Sequence, residues 1–192
     1  MSELDAEVKT RCHAKCRIGV DEFDSYEFLK SFAEELLKSG NKQLIVHARK
    51  AILKGLSPAQ NRSVPPLQYE LVLRLAEEFP QLDIHINGGF KKLDDIVEIL
   101  EPGKKLRGVM VGRMTASNPW ELRDIDRRLY GCPNPGLTRR EILDIWGEYG
   151  DFISAIDPRA NWHILSRPIN NIVHDEPLSN KFRQILSTKH EL

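Results

Sequence analysis

His47, Arg49 and Lys50 follow a short apolar run, Leu44-Ile45-Val46, and open a segment that also carries Lys54, Asn61 and Arg62. From Lys42 to Arg62 there are five Lys or Arg residues and no Asp or Glu. The whole chain balances 28 basic against 28 acidic residues, so this excess is local. Imidazole, guanidinium and ammonium groups delivered together at a strand end suit an anion: a phosphate, an anionic cofactor or a nucleic-acid backbone. His47 alone fits a satisfied polar core position equally well, and Arg49 and Lys50 beside it favour a ligand. A second group is built on glycine. Asn87-Gly88-Gly89 follows the run Leu82–Ile86, and Gly112-Arg113 follows Gly108–Val111. Glycine after a strand lets backbone approach a ligand closely, and in (β/α)8 barrels the loops after the last two strands commonly hold a phosphate. Plain turn punctuation explains Gly88-Gly89 as well, and both readings stand. In AKCRIGV, alternation sets Lys15, Arg17 and Gly19 on one face and Cys16 and Ile18 on the other. Lys15 therefore points to a cofactor in a barrel interior or to solvent from an edge strand.

The elements that must position these groups alternate. Strands are predicted over Ala14–Val20, Leu44–Ala48, Leu82–Ile86 and Gly108–Val111. Helices follow them. One starts at a cap on Asp24 and carries Phe28, Leu29, Phe32, Ala33, Leu36 and Leu37 as its apolar stripe, with Gly40 as its stop. Others span Tyr69–Phe79, Leu93–Leu100 and Pro119 to about Tyr130. Four strand-helix units in succession imply parallel pairing and an α/β layer. From Thr138 onward only helices are predicted: one opened by a Thr138/Glu141 capping box, and two more around Asn161–Val173 and Leu178–Leu186. Pro133-Asn134-Pro135-Gly136 is the expected domain boundary.

Composition fits a globular protein, with 41% hydrophobic residues and no run approaching the ~20 apolar residues that cross a bilayer. MSELDAEVKTRC lacks the apolar core of a signal peptide, so a cytoplasmic location is expected, with an organellar one as the alternative. Cys12, Cys16 and Cys132 are too few and too scattered for a disulfide framework. Cys16 reads as a small buried filler and Cys132 as incidental to a linker.

Taken together, KCRIGVDEFDSYEFL (Lys15 to Leu29), VHARKAILKGLSPAQNR (Val46 to Arg62), PPLQYE (Pro65 to Glu70), INGG (Ile86 to Gly89) and GVMVGR (Gly108 to Arg113) resemble the tRNA-dihydrouridine synthase family, most closely its synthase A branch. The resemblance covers roughly residues 13 to 130. HILSRPINNIVHDEP and KFRQIL in the tail resemble the family's helical, tRNA-gripping domain more weakly. The resemblance implies an FMN-dependent barrel in which NADPH reduces the flavin, the flavin passes hydride to C6 of a uridine flipped out of tRNA, and a loop cysteine protonates C5. It assigns Lys15 and His47 to the flavin, and Asn87, Gly88, Gly89, Gly112 and Arg113 to its phosphate. Arg49, Lys50 and Arg62 fall where the family meets tRNA, and Arg167 and Arg183 are the candidates in the helical part.

The family barrel has eight strands and this chain shows four, matching strands five to eight. The Pro-Met flavin strand and the Asn-x-Gly-Cys-Pro loop with its proton donor have no counterpart, and Cys132 imitates that loop in letters only. The expectation is therefore a partial (β/α)8 TIM barrel over 13–132, a small all-helical tRNA-binding domain over 138–192, and an unassigned segment over 1–12. Alone, such a chain is expected to be inactive and to self-associate through open barrel edges. The alternatives are a non-catalytic flavin-phosphate or RNA-binding remnant, a gene fragment, and another FMN-dependent barrel oxidoreductase, such as a dihydroorotate dehydrogenase relative.

Overall fold

A computed structural model describes residues 13–188. Four strands, β1 (Ala14–Arg17), β2 (Gln43–His47), β3 (Asp83–Asn87) and β4 (Gly108–Met110), alternate with helices α1 (Tyr26–Lys38), α2 (Tyr69–Glu78) and α3 (Leu93–Ile99). The strands form one sheet in the order β1-β2-β3-β4, every neighbour parallel. Sequential order has a consequence. Parallel crossovers are almost always right-handed, so connections that never reverse direction set their helices on the same face of the sheet. A doubly wound sheet reverses its order and covers both faces; this one keeps a single direction across its four strands.

Burial follows that geometry. Leu44, Val46, Ile84 and Ile86 are all 0% exposed and share one face. Buried Leu29 and Ala33 of α1, and Val72, Leu75 and Ala76 of α2, complete the same core. The residues between them, Gln43, Ile45, His47, His85 and Asn87, are only half-buried, and Lys15 and Asp83 are exposed. An α/β fold with a parallel sheet is therefore as expected.

Boundaries shift for local reasons. The N-cap of α1 is Ser25, not Asp24: the Ser25 hydroxyl accepts from Phe28 N at 3.2 Å. Asp24 is occupied elsewhere, paired to Lys50 Nζ at 2.6 Å. Strand β1 ends at Arg17, and Val20 makes only isolated bridges, to Phe23 and to Ala51.

The chain divides into two compact units, the first comprising Met1–Phe90 and Asp94–Val111, the second Lys91–Leu93 and Gly112–Leu192. Residues 113–130, grouped with the strand units in the sequence, thus cluster with the C-terminal helices. Among the described residues the second unit is helical: α4 (Arg113–Ser117), a 3-10 turn (Pro119–Leu122), α5 (Ile125–Tyr130), α6 (Arg139–Ile156), α7 (Trp162–Ser166) and α8 (Ser179–Thr188). The capping box forms as expected, Thr138 and Glu141 serving each other's backbone N–H groups. The single helix expected from Pro119 to Tyr130 is broken into a 3-10 turn and α5, and the one around Asn161–Val173 stops at Ser166. The unit is joined by polar bridges: Arg139 lies 4.2 Å over the Trp120 ring, donates to Ile172 O at 2.8 Å and pairs with Glu176 at 2.6 Å. Trp146 donates to Leu165 O and Trp162 to Leu186 O, at 2.9 and 2.6 Å. No helix among the described residues is long and apolar enough to cross a membrane.

Candidate functional site

Parallel register aligns the polar residues of the half-buried face into two rows. Lys15 pairs with Ile45, Ile45 with His85, and His85 with Gly108. One pleat nearer the C-terminal ends, Arg17 pairs with His47, His47 with Asn87, and Asn87 with Met110. Lys15, Arg17, His47 and Asn87 therefore share one face because the side-chain period of a strand is two. Open α/β sheets and barrels bind ligands at this end of their strands.

The strand ends are fastened to one another. Ile18 N donates to His47 O at 3.2 Å, Ala48 N to Asn87 O at 2.9 Å and Gln68 N to Ala48 O at 2.9 Å. The Asn87 amide donates to Met110 O at 2.6 Å. Gly88 and Gly89 are required here. Their φ angles are +116° and +81°, and a Cβ on Gly89 would stand 2.4 Å from Leu67 Cδ1 and 2.8 Å from the Tyr69 hydroxyl. A Cβ on Gly88 would meet the His47 ring at 3.1 Å, so the imidazole edge lies against the glycine backbone. Tyr69, stacked on Phe90 at 5.5 Å, donates to Gly88 O at 2.6 Å. Burial, then the Asp95 charge, push its phenol pKa up, so Tyr69 stays a donor. The His47 ring thus lies against the braced turn of Asn87, Gly88 and Gly89, with Lys15 on the same sheet face as His47 and Asn87. Gly112 and Arg113 belong to the second unit, at the N-cap and first residue of α4, both exposed. No neighbour lies within 4 Å of a Cβ placed on Gly112.

The basic loop divides by role. The Arg49 guanidinium donates to the carbonyls of Ser63 and Pro65. Lys50 pairs with Asp24 and reaches Asp21 O at 3.4 Å. The Lys50 ammonium, by hydrogen bond and by charge, holds the Asp24 carboxyl below its usual range. Lys54 and Arg62 are exposed. In the second unit Arg167 is exposed with Nη2 2.7 Å from His163 Nε2, and Arg183 donates to Asn180 Oδ1 at 2.6 Å.

Three residues were not picked out from the sequence. Arg17 donates through Nη1 to Lys50 O and Asn61 O, both at 2.9 Å. Its signal was its place two residues after Lys15 on the same face. Tyr69 lay within the PPLQYE motif without a role. His85 lies one pleat below His47, with Nε2 2.7 Å from the Gln43 amide and its ring against Gly108. Burial of the Cys16 thiol pushes its pKa up to about 11, against a smaller pull from Lys15, so this cysteine is no ready nucleophile. Cys132 is exposed, with Sγ 3.6 Å from Tyr130 O.

A parallel sheet in sequential order, with basic and amide side chains at its C-terminal ends and a left-handed glycine turn beside them, defines an α/β protein. The chain belongs to the dihydrouridine synthase (Dus) family, whose profile matches residues 1–190. It is 40% identical over 184 residues to a tRNA-dihydrouridine(20/20a) synthase of Pseudomonas aeruginosa, covering 96% of this chain and 54% of that protein. Its identity to proteins of the same name is 43% over 144 residues in Pasteurella multocida, covering 75% of this chain and 43% of that one, and 36% over 187 residues in Synechocystis, covering 97% and 54%. The chain spans about half the length of the curated relatives it matches.

Proposed function

We propose that this chain carries the flavin-phosphate and RNA-facing part of a tRNA-dihydrouridine synthase, with its four strands forming the fifth to eighth of a (β/α)8 barrel. The observation that carries this reading is the register row of Arg17, His47 and Asn87, with Lys15 one pleat below, on the sheet face that the helices leave half-buried. In a closed barrel that face lines the interior. The site suits FMN. Gly88 and Gly89 occupy a left-handed turn that keeps side chains away from the backbone where a phosphate would approach, and Lys15 and His47 offer donors on the same face. Gly112 and Arg113 carry their assignment to the phosphate from the family resemblance alone. Bound FMN, reduced by NADPH, would supply the hydride for a tRNA uridine. The chain's own groups bind and orient: Lys15 and His47 toward the flavin, Asn87 and Tyr69 holding the turn, and the basic loop and the helical unit toward tRNA. No residue is assigned as proton donor: Cys16 alternates with Lys15 and Arg17 and so lies on the opposite sheet face, its thiol a weak acid with a pKa pushed up to about 11, and Cys132 lies in the segment after α5. The chain by itself is therefore expected to form no dihydrouridine in the test tube.

Fluorescence titration with FMN and with riboflavin tests the assignment. FMN is expected to bind weakly, because one wall of a ligand site contributes only part of its enclosure, yet more tightly than riboflavin, and Lys15→Met is expected to weaken it. Equal binding of FMN and riboflavin would remove the phosphate site from the proposal.

A further inference from the structure

We propose that Arg17 is a positioning residue for RNA recognition: it holds both ends of the basic loop and so presents the loop's exposed residues in a preformed geometry. The proposal rests on the reading that this loop meets tRNA. Arg17 is the last residue of β1, fixed in register against His47. Its Nη1 donates to Lys50 O, where the loop leaves the sheet region, and to Asn61 O, where it returns. Between these two points the loop is tied further. Asn61 Oδ1 accepts from Ile52 N at 2.8 Å and Asn61 Nδ2 donates to Ile52 O at 2.7 Å, closing the loop on itself. Leu53 N donates to Asp21 Oδ1, and Ala51 exchanges backbone bonds with Gly19 and Asp21, all at 2.8 Å.

A loop with so little helix and no strand is ordinarily among the first parts of a fold to open. Here its backbone is fastened at the base, and its tip projects Leu53, 71% exposed, beside exposed Lys54. An apolar side chain next to a cation matches an unstacked nucleobase next to its phosphate, the feature that single-stranded RNA loops offer to proteins. The placement of Arg17 is not electrostatically favourable. Burial, and then the charges of Arg49 and Arg62, lower its guanidinium pKa. An arginine serving only as surface charge would turn toward solvent; this one is kept among like charges by two carbonyls.

The experiment uses the whole chain, with Arg17→Met as the variant and Asn61→Leu as a second one that loosens the same loop from outside the sheet. Two quantities are measured: amide exchange of residues 51–61, and tRNA affinity as a function of salt. If the loop-competent fraction falls to about a tenth, affinity falls about tenfold. We expect faster exchange at Ile52 and Leu53, affinity lower by about that factor, and an unchanged slope of log affinity against log salt, in both variants. A slope flattened by roughly 0.7–0.9 in Arg17→Met would mean that Arg17 itself neutralises a phosphate, and would overturn the positioning role. Unchanged exchange in both variants would overturn the brace. Faster exchange in a chain whose wild type binds no tRNA would leave the brace standing and remove its use in RNA recognition, together with the tRNA reading. Should Arg17→Met not fold, Asn61→Leu alone decides: unchanged exchange or unchanged affinity overturns the proposal.

Discussion

Single positions decide whether the site can exist. Gly89 has φ +81° and neighbours at 2.4 and 2.8 Å from a would-be Cβ, whereas Gly112 has φ −139° and open space. Gly89→Ala is therefore expected to cost about 1–3 kcal/mol through strain and crowding, and Gly112→Ala to stay within about 0.5 kcal/mol. Urea midpoints of the two variants check this; equal losses would contradict the geometry. His85 makes a second prediction. Burial is the main cause that lowers its pKa below 6.5, with His13 and Arg107 adding to it and Asp83 opposing. The folded state binds the proton less well than the unfolded state, so the contribution of His85 to stability is complete above about 6.5 and is lost as pH falls through its folded value. An amide N–H of Gln43 donating to Nε2 requires the same neutral ring. His85→Gln is expected to reduce the fall in melting temperature between pH 7.5 and 5.5; the same fall in the variant would show that other groups set it.

Elements carry the next level of organisation. The start of α1 rests on Ser25, so Ser25→Ala should destabilise the protein by roughly 0.5–2 kcal/mol, the ordinary value of an N-cap. The basic loop is an element in its own right, and its cations are unequal. Arg49 and Lys50 are committed to loop carbonyls and to Asp24, while Lys54 and Arg62 are exposed. If the loop binds tRNA, Lys54→Ala with Arg62→Ala should flatten the salt slope by roughly 0.7–0.9 for each phosphate that is no longer neutralised. Lys30→Ala with Lys38→Ala, on α1, should leave it unchanged. Equal flattening by both pairs would mean diffuse attraction rather than a loop-borne site.

For the molecule as a whole, the decisive property is the one-sided sheet. Among the described residues β1 and β4 each pair on one side only, and the face bearing Lys15, Ile45 and His85 is half-buried or exposed. Unpaired edges and a partly exposed sheet face favour association with further strands. The isolated chain is expected to self-associate in sedimentation velocity at micromolar concentration. A monodisperse, cooperatively melting monomer would show that these edges are satisfied within the chain.

Alternation and helical periodicity are local signals, so the order and type of the main elements were legible in the residues alone: all four strand cores, α1, α2, α3 and the Thr138/Glu141 cap. The family to which the chain belongs was legible as well; His47 and Asn87-Gly88-Gly89 stood out in the residues, and the structure sets the His47 ring against the Gly88 backbone. Which strand residues share a row was not, since register depends on pairing between segments far apart in the chain. Folding also separated the arginines by task. In sequence Arg17 looks like any other strand-face cation and Arg49 like any other loop cation, yet they spend their donors on the carbonyls of Lys50, Asn61, Ser63 and Pro65. Ser25 displaced Asp24 as the cap for the same reason: Lys50, distant in sequence, is close in space and holds the Asp24 carboxylate. Local propensity states what a residue can do, and the partners that tertiary packing brings within hydrogen-bond reach decide which of those roles it takes.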